Sequence, residues 1–179
     1  MPTMMRTDDE LAQAIASAAR HRLAEALGKI KHCLIQLTDE QLWWRPQESQ
    51  NSIANLLLHL CGNVRQWLVA GISGVPDVRN RPTEFSERGP LAKGELIRKL
   101  EEVVSEADAT LQKLTPDRLL EKRRIQGFDT TVLLAIFDTV PHFSGHTQEI
   151  VFMTRLQLGD AYKFKWVPAT PEQGAAHAP

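Results

Sequence analysis

The sequence lacks a strong net charge and has few cysteines. Its 179 residues include 21 basic and 22 acidic side chains, a formal net charge of −1, so no overall field would draw it to nucleic acid or to an anionic membrane. Its two cysteines, Cys33 and Cys61, are too few for a disulfide-stabilised secreted domain. The amino-terminal residues carry charges where a signal peptide needs an apolar run. We therefore expect a cytoplasmic protein that does not bind nucleic acid.

Long uncharged apolar runs are also absent. The two most apolar stretches, residues 52–72 and 130–153, each contain histidine and charged side chains, whereas a membrane-spanning helix needs about 20 mostly apolar residues. The sequence also has no glycine-rich phosphate loop, no nucleophile elbow and no His-Glu-x-x-His motif. These absences argue against a membrane partner and against several common enzyme classes.

Apolar residues recur at helical spacing along most of the chain. The predicted long helices cover residues 8–37, 52–71, 93–114 and 130–158. No segment shows a convincing strand alternation, so we predict an all-α fold, an antiparallel four-helix bundle. We expect this bundle to form a single domain over residues 1–167.

Two segments fall outside the predicted helices. Residues 72–92 are rich in proline and glycine and predict a long ordered loop, a feature that is often functional in a compact domain. The loop arginines Arg79, Arg81 and Arg88 could bind a substrate carboxylate or phosphate, or they could simply be solvated. Residues 168–179 lack large apolar anchors and predict a flexible carboxy-terminal tail.

His59 lies on a polar stripe of the second predicted helix. The stripe also contains Asn55, Gly62, Asn63 and Gln66, and it carries no formal charge. By contrast, lysine, arginine and glutamate crowd the solvent side of the third predicted helix. This difference indicates that His59 faces a polar cavity, although a solvent-exposed histidine is the alternative.

The fourth predicted helix carries a pair of histidines at i and i+4. His142 and His146 therefore project from one face, one turn apart, and could chelate one metal ion. Asp138 and Glu149 share that face and could orient the rings or supply a fourth ligand. Pro141 removes a backbone hydrogen bond beside His142. The alternative is that the pair merely shares a solvated face with two acids.

Several motifs together resemble the DinB/YfiT-like superfamily of metal-binding four-helix bundles. They are residues 52–60 (SIANLLLHL), 142–150 (HFSGHTQEI), 44–46 (WRP) and 74–85 (GVPDVRNRPTEF). The resemblance spans most of residues 8–160. It implies that His59, His142 and His146 bind a divalent ion, usually nickel or zinc. Better understood relatives are transferases that conjugate low-molecular-weight thiols, or isomerases that use them, but the branch with this loop has no established activity.

An ion held by three neutral imidazoles keeps its full charge and lowers the pKa of a bound water or thiol. We therefore expect a metal-dependent transferase in which a thiolate or hydroxide attacks an electrophilic small molecule, with Asp138 or Glu149 as a supporting group or proton acceptor. The alternative is a non-catalytic protein that binds a metal or small ligand in a stress response or as an interaction module. Ligand chemistry alone also admits copper or iron. Such bundles commonly dimerise, so a homodimer is a further expectation.

Overall fold

The computed structural model describes residues 3–167, and four long helices dominate this part of the chain. The long helices are α1 (Thr3–Leu34), α3 (Ile53–Val64), α6 (Lys93–Leu111) and α8 (Val132–Leu158). The shorter elements are α2 (Asp39–Trp43), α4 (Gly71–Ser73), α5 (Arg81–Ser86), α7 (Pro116–Leu119), β1 (Lys122–Ile125) and β2 (Phe128–Thr131). A 3₁₀ turn at Gly159–Ala161 follows α8. The predicted tail, residues 168–179, lies outside the described residues.

The four long helices form the predicted bundle. Helix α1 packs against α6 and α8, and α3 packs against the same two helices. Their apolar faces meet in one core, to which Leu23, Ile30, Leu57, Leu100 and Phe143 contribute fully buried side chains. Burying each such side chain stabilises the fold by about 1.5–3 kcal/mol relative to exposure. The all-α bundle is therefore confirmed. Within residues 3–167, none of the helices is long and apolar enough to cross a bilayer.

Helix α3 begins directly after Ser52, the first residue of the predicted helix, and the helical path continues past the predicted end at residue 71. The hydroxyl of Ser52 accepts a hydrogen bond from the backbone N–H of Asn55, and the Asn55 amide oxygen accepts one from the N–H of Ser52, which forms a capping box. The helix then passes through a π-helical segment, Arg65–Ala70, into α4. Gly74 ends it at φ +80°, a left-handed conformation that suits glycine.

The expectation that strands are absent was wrong for one short segment. Strands β1 and β2 form an antiparallel hairpin whose turn residues, Gln126 and Gly127, both have positive φ. Helix α8 consequently begins at Val132, with the Thr131 hydroxyl accepting from the N–H of Leu134. The hairpin is inconspicuous in the sequence because β1 is mostly basic and buries a single side chain, Ile125, deeply.

The predicted loop over residues 72–92 contains a helix. Helix α5 spans Arg81–Ser86, with Pro82 in its first turn, where a missing N–H costs no helical hydrogen bond. It packs against α3. This segment, which the sequence predicts as a connection, therefore packs on the helix that carries His59.

Candidate metal centre

The structure brings the three predicted histidines together. His59 on α3 faces His142 and His146 on α8, and one ligand atom from each residue lies within 4.8 Å of the other two. The Nε2 atoms of His59 and His142 are 2.9 Å apart. The ring centroids of the two α8 histidines are 4.5 Å apart, and each is 5.1 Å from that of His59. His59 is buried, whereas His142 and His146 are partly exposed, so the cluster is reached from the α8 side.

A buried carboxylate holds the other ring nitrogen of His59. Glu84 on α5 places Oε2 3.0 Å from His59 Nδ1. The Arg79 guanidinium donates to both carboxylate oxygens, from Nε at 2.7 Å and from Nη2 at 2.8 Å. Burial raises the pKa of Glu84, but hydrogen bonds from Arg79 and His59 outweigh it and leave the pKa below its ordinary value. An ionised Glu84 accepts a hydrogen bond from the Nδ1–H group of His59. The lone pair of His59 is then on Nε2, which faces the other histidines.

Two residues of α3 allow α5 to lie this close. The amide nitrogen of Asn55 donates to the carbonyl of Glu84 at 2.9 Å and to that of Glu87 at 3.0 Å, which ties the carboxy-terminal half of α5 to α3. Gly62 provides the space, since a Cβ at this position would lie 1.9 Å from Glu84 Oε1. The polar stripe predicted around His59 is therefore the surface of α3 on which α5 packs.

The two predicted acids on α8 differ in their surroundings. Glu149 accepts a hydrogen bond at 2.8 Å from Nδ1 of His146, an arrangement parallel to that of Glu84 and His59. Asp138 is exposed, and within residues 3–167 no hydrogen bond joins it to the histidines. Glu149 can thus orient a ligand ring directly, whereas Asp138 lies on the same helix one turn before His142.

The environment keeps His142 uncharged. Burial, together with the neighbouring His146 and His59 and the positive charges of Arg79 and Arg81, lowers the pKa of His142 to about 4. Metal ligation requires the neutral imidazole, so this histidine keeps one unprotonated ring nitrogen at neutral pH. The neighbouring thiol of Cys61 is not part of the cluster, and burial raises its pKa to about 12.

An aromatic ring and a guanidinium stand beside the cluster. The ring of Phe85 packs against that of His59 with centroids 5.0 Å apart. The Arg81 guanidinium lies over Phe85, 4.9 Å from the ring centroid. Of the other loop arginines, Arg79 is buried in its contacts with Glu84 and Gln66, and Arg88 donates to the backbone carbonyls of Phe85 and Glu87.

These residues fit a divalent metal ion. A tetrahedral ion with bonds of about 2.0–2.1 Å to nitrogen needs ligand atoms roughly 3.3 Å apart, a spacing within the range of the cluster. Two of the rings have their Nδ1 atoms paired with carboxylates, which is the usual support for histidine ligands. Three protein ligands are one fewer than a closed structural zinc site uses, so a coordination position stays open.

The sequence predicted the cluster of three histidines and placed Glu149 on the same helix face, but it gave no sign of Glu84 or of the role of Arg79. Both lie in the segment that was predicted as a loop, and neither stands at a fixed spacing from a histidine. A lone acid in a polar loop gives no sequence signal of this kind, and only the packing of α5 on α3 brings it to His59.

Fold and site together define a four-helix bundle with a three-histidine candidate metal centre. The chain belongs to the family described as a protein of unknown function (DUF1572), whose profile matches residues 10–171. Two solved structures confirm the predicted DinB-like bundle at the level of the fold.

Two solved structures share the fold at low sequence identity. A conserved protein from Enterococcus faecalis superposes with a TM-score of 0.67 at 15% identity, over 80% of this chain and 97% of that one. A DinB-like protein from Bacillus cereus ATCC 10987 superposes with a TM-score of 0.60 at 14% identity, over 74% of this chain and 85% of that one. No curated protein matches the sequence.

Proposed function

We propose that the protein binds zinc or nickel through His59, His142 and His146 and uses it to transfer a low-molecular-weight thiol or water to an electrophilic small molecule. The observation that carries the proposal is the convergence of three imidazoles, two of them backed by carboxylates, on a side of the bundle open to solvent. When bound, an ion in such a site supplies Lewis acidity, which lowers the pKa of a water or thiol that reaches it.

The protein's own residues position the ligands and manage protons. Glu84 fixes the tautomer of His59 from inside the bundle, and Glu149 does the same for His146 from the surface. Glu149 and Asp138 are both exposed on α8. They are therefore the candidates for accepting the proton that a thiol or water must lose before it attacks.

Metal binding is tested first, on protein without a histidine tag. Purified metal-free protein is titrated with Zn²⁺ and Ni²⁺, and the bound metal is counted by mass spectrometry. We expect one ion per chain in the wild-type protein and a loss of tight binding in His59→Ala and His142→Ala. His21→Ala is the matched control, since His21 is an exposed histidine remote in sequence from all three ligands. Wild-type protein that binds no stoichiometric metal would overturn the proposal.

Catalysis is tested separately from binding. Zinc- and nickel-loaded protein is screened with low-molecular-weight thiols against epoxide, halide and unsaturated carbonyl electrophiles, and with water against esters. The proposal expects turnover that disappears after chelation and in His142→Ala. Stoichiometric metal with no turnover across the panel would favour the rival function, a non-catalytic protein that binds a metal or small ligand.

A further inference from the structure

Arg81 differs from most arginines in the described part of the chain. Most of them pair with carboxylates: Arg20, Arg22, Arg65, Arg79, Arg88, Arg98, Arg118, Arg123 and Arg124. Arg81 is exposed, and among residues 3–167 its guanidinium has no ion pair or hydrogen bond; its contact is with the face of Phe85. Its five N–H donors are therefore free to receive an anion.

Helix α5 places this free cation beside the histidines. Phe85 follows Arg81 by four residues, so both lie on one face of α5, and the Phe85 ring is in turn 5.0 Å from that of His59. Glu84, on the neighbouring face of the same helix, contacts the opposite nitrogen of His59. One short helix thus holds the His59 ring through Glu84 and places the Arg81 guanidinium beside the cluster.

The charge balance of the site favours an anionic ligand. Arg79 and Glu84 neutralise one another in the interior, since they form a buried pair. A divalent ion at the histidines adds two positive charges, and Arg81 adds a third. Glu149, which is 47% exposed and bonded to His146, is the only acid within residues 3–167 that is hydrogen-bonded to the α8 histidines. The positive charges of the ion and of Arg81 repel one another, and an anion placed between Arg81 and the histidines would reduce this repulsion.

We propose that Arg81, held in place by Phe85, binds a carboxylate group of the small-molecule ligand, so that the thiol or electrophile used by this protein carries a carboxylate. This inference rests on the proposed function, because it places the carboxylate next to the metal-binding histidines. A planar guanidinium matches a carboxylate through two parallel hydrogen bonds, and its contact with the face of Phe85 holds it near the histidines.

The test compares ligands that differ in one charge. Zinc-loaded protein is titrated by calorimetry with 3-mercaptopropionate and with its neutral amide. We expect the wild-type protein to bind the carboxylate about tenfold more tightly, which is the usual scale of one charge-assisted contact. We expect Arg81→Gln to abolish this preference without changing the affinity for the amide, and Arg81→Lys to restore part of it. Arg98→Gln, an exposed arginine on α6, is the matched control.

The possible results separate the two proposals. Equal binding of the carboxylate and the amide by the wild-type protein overturns the inference about Arg81 and leaves the metal site intact. A preference that persists in Arg81→Gln also overturns it. A protein that cannot be loaded with zinc overturns the proposed function and the inference together. Far-UV circular dichroism of each variant shows whether the bundle is folded, and Arg81→Lys preserves the test if Arg81→Gln is not.

Discussion

The Glu84 carboxylate lies 3.0 Å from Nδ1 of His59, although 25 residues separate them in the chain. The contact joins a helix of the bundle to a short helix in a connecting segment, and both side chains are buried. It also couples the histidine cluster to a buried cation, because Arg79 donates to both oxygens of the same carboxylate. Metal affinity and the stability of the connecting segment should therefore depend on the same few atoms.

Glu84→Gln should lower both the stability of the protein and its affinity for metal. The amide cannot neutralise Arg79, whose side chain is 3% exposed, so the variant should lose about 3–5 kcal/mol of stability, as expected when one partner of a buried ion pair is removed. Its affinity for Zn²⁺ should fall by about 10–100-fold, because the ring of His59 loses its orienting carboxylate. Urea unfolding and competitive metal titration measure the two quantities.

A double variant separates the loss of stability from the loss of zinc affinity. Arg79→Met combined with Glu84→Gln removes both charges, so it should recover part of the stability while its zinc affinity stays low. Glu48→Gln, at a side chain that is 88% exposed, should change neither. If the double variant regained wild-type zinc affinity, Glu84 would have no direct role in orienting His59.

The parts of this site that follow from local spacing could be predicted, and those that depend on packing could not. His142 and His146 are one turn apart on a helix, so the helical period alone brings their rings together. The uncharged stripe around His59 was similarly visible in the helical phase. Glu84 contacts His59 only because Asn55 binds the backbone of α5 and Gly62 leaves space for the Glu84 side chain on α3. These are contacts between distant segments, which periodicity does not report.

The same distinction explains why the sequence did not predict the hairpin. Lys122–Ile125 and Phe128–Thr131 are four residues each, too short to show a convincing alternation. Their pairing depends on the two positive-φ residues at the turn, Gln126 and Gly127. Gln-Gly is a weaker hairpin signal than Asn-Gly, because asparagine tolerates positive φ better than glutamine does.

The folding stability of the metal-free protein should decrease as the pH is lowered, because of His142. Its pKa is lowered from 6.5 to about 4 in the folded protein. Since the unfolded chain binds the proton more tightly, the contribution of this group is fully present above pH 6.5 and is lost as the pH falls from about 6.5 to about 4. Urea unfolding at a series of pH values should show this slope in the wild-type protein. His142→Gln should have a shallower slope over the same range, and an unchanged slope would assign the effect to other groups.

Two glycines on the histidine-bearing helices should respond in opposite ways to alanine. Gly62→Ala would place a Cβ 1.9 Å from Glu84 Oε1, so we expect lower stability and weaker zinc binding as the carboxylate is displaced. A Cβ on Gly145, between the two α8 histidines, would meet no atom within 4 Å outside the adjoining backbone of its own helix. Gly145→Ala should therefore gain about 0.5–1 kcal/mol from the better helix propensity of alanine. Thermal unfolding and zinc titration of both variants test this contrast, and similar behaviour of the two would contradict the packing of α5 described above.

Asn55 should control the order of α5 without contacting the histidines. Its amide nitrogen donates to the carbonyls of Glu84 and Glu87, while its amide oxygen accepts from Ser52 and from Arg45. Asn55→Asp keeps the accepting oxygen but replaces the donor with a carboxylate oxygen, which repels the two carbonyls. We expect faster amide hydrogen exchange at residues 81–87 and a lower zinc affinity, while exchange in α1 and α6 stays near that of the wild-type protein. Because the cap of α3 is retained, faster exchange spread over the whole bundle would show instead that Asn55 acts on global stability and not on the segment that carries Glu84.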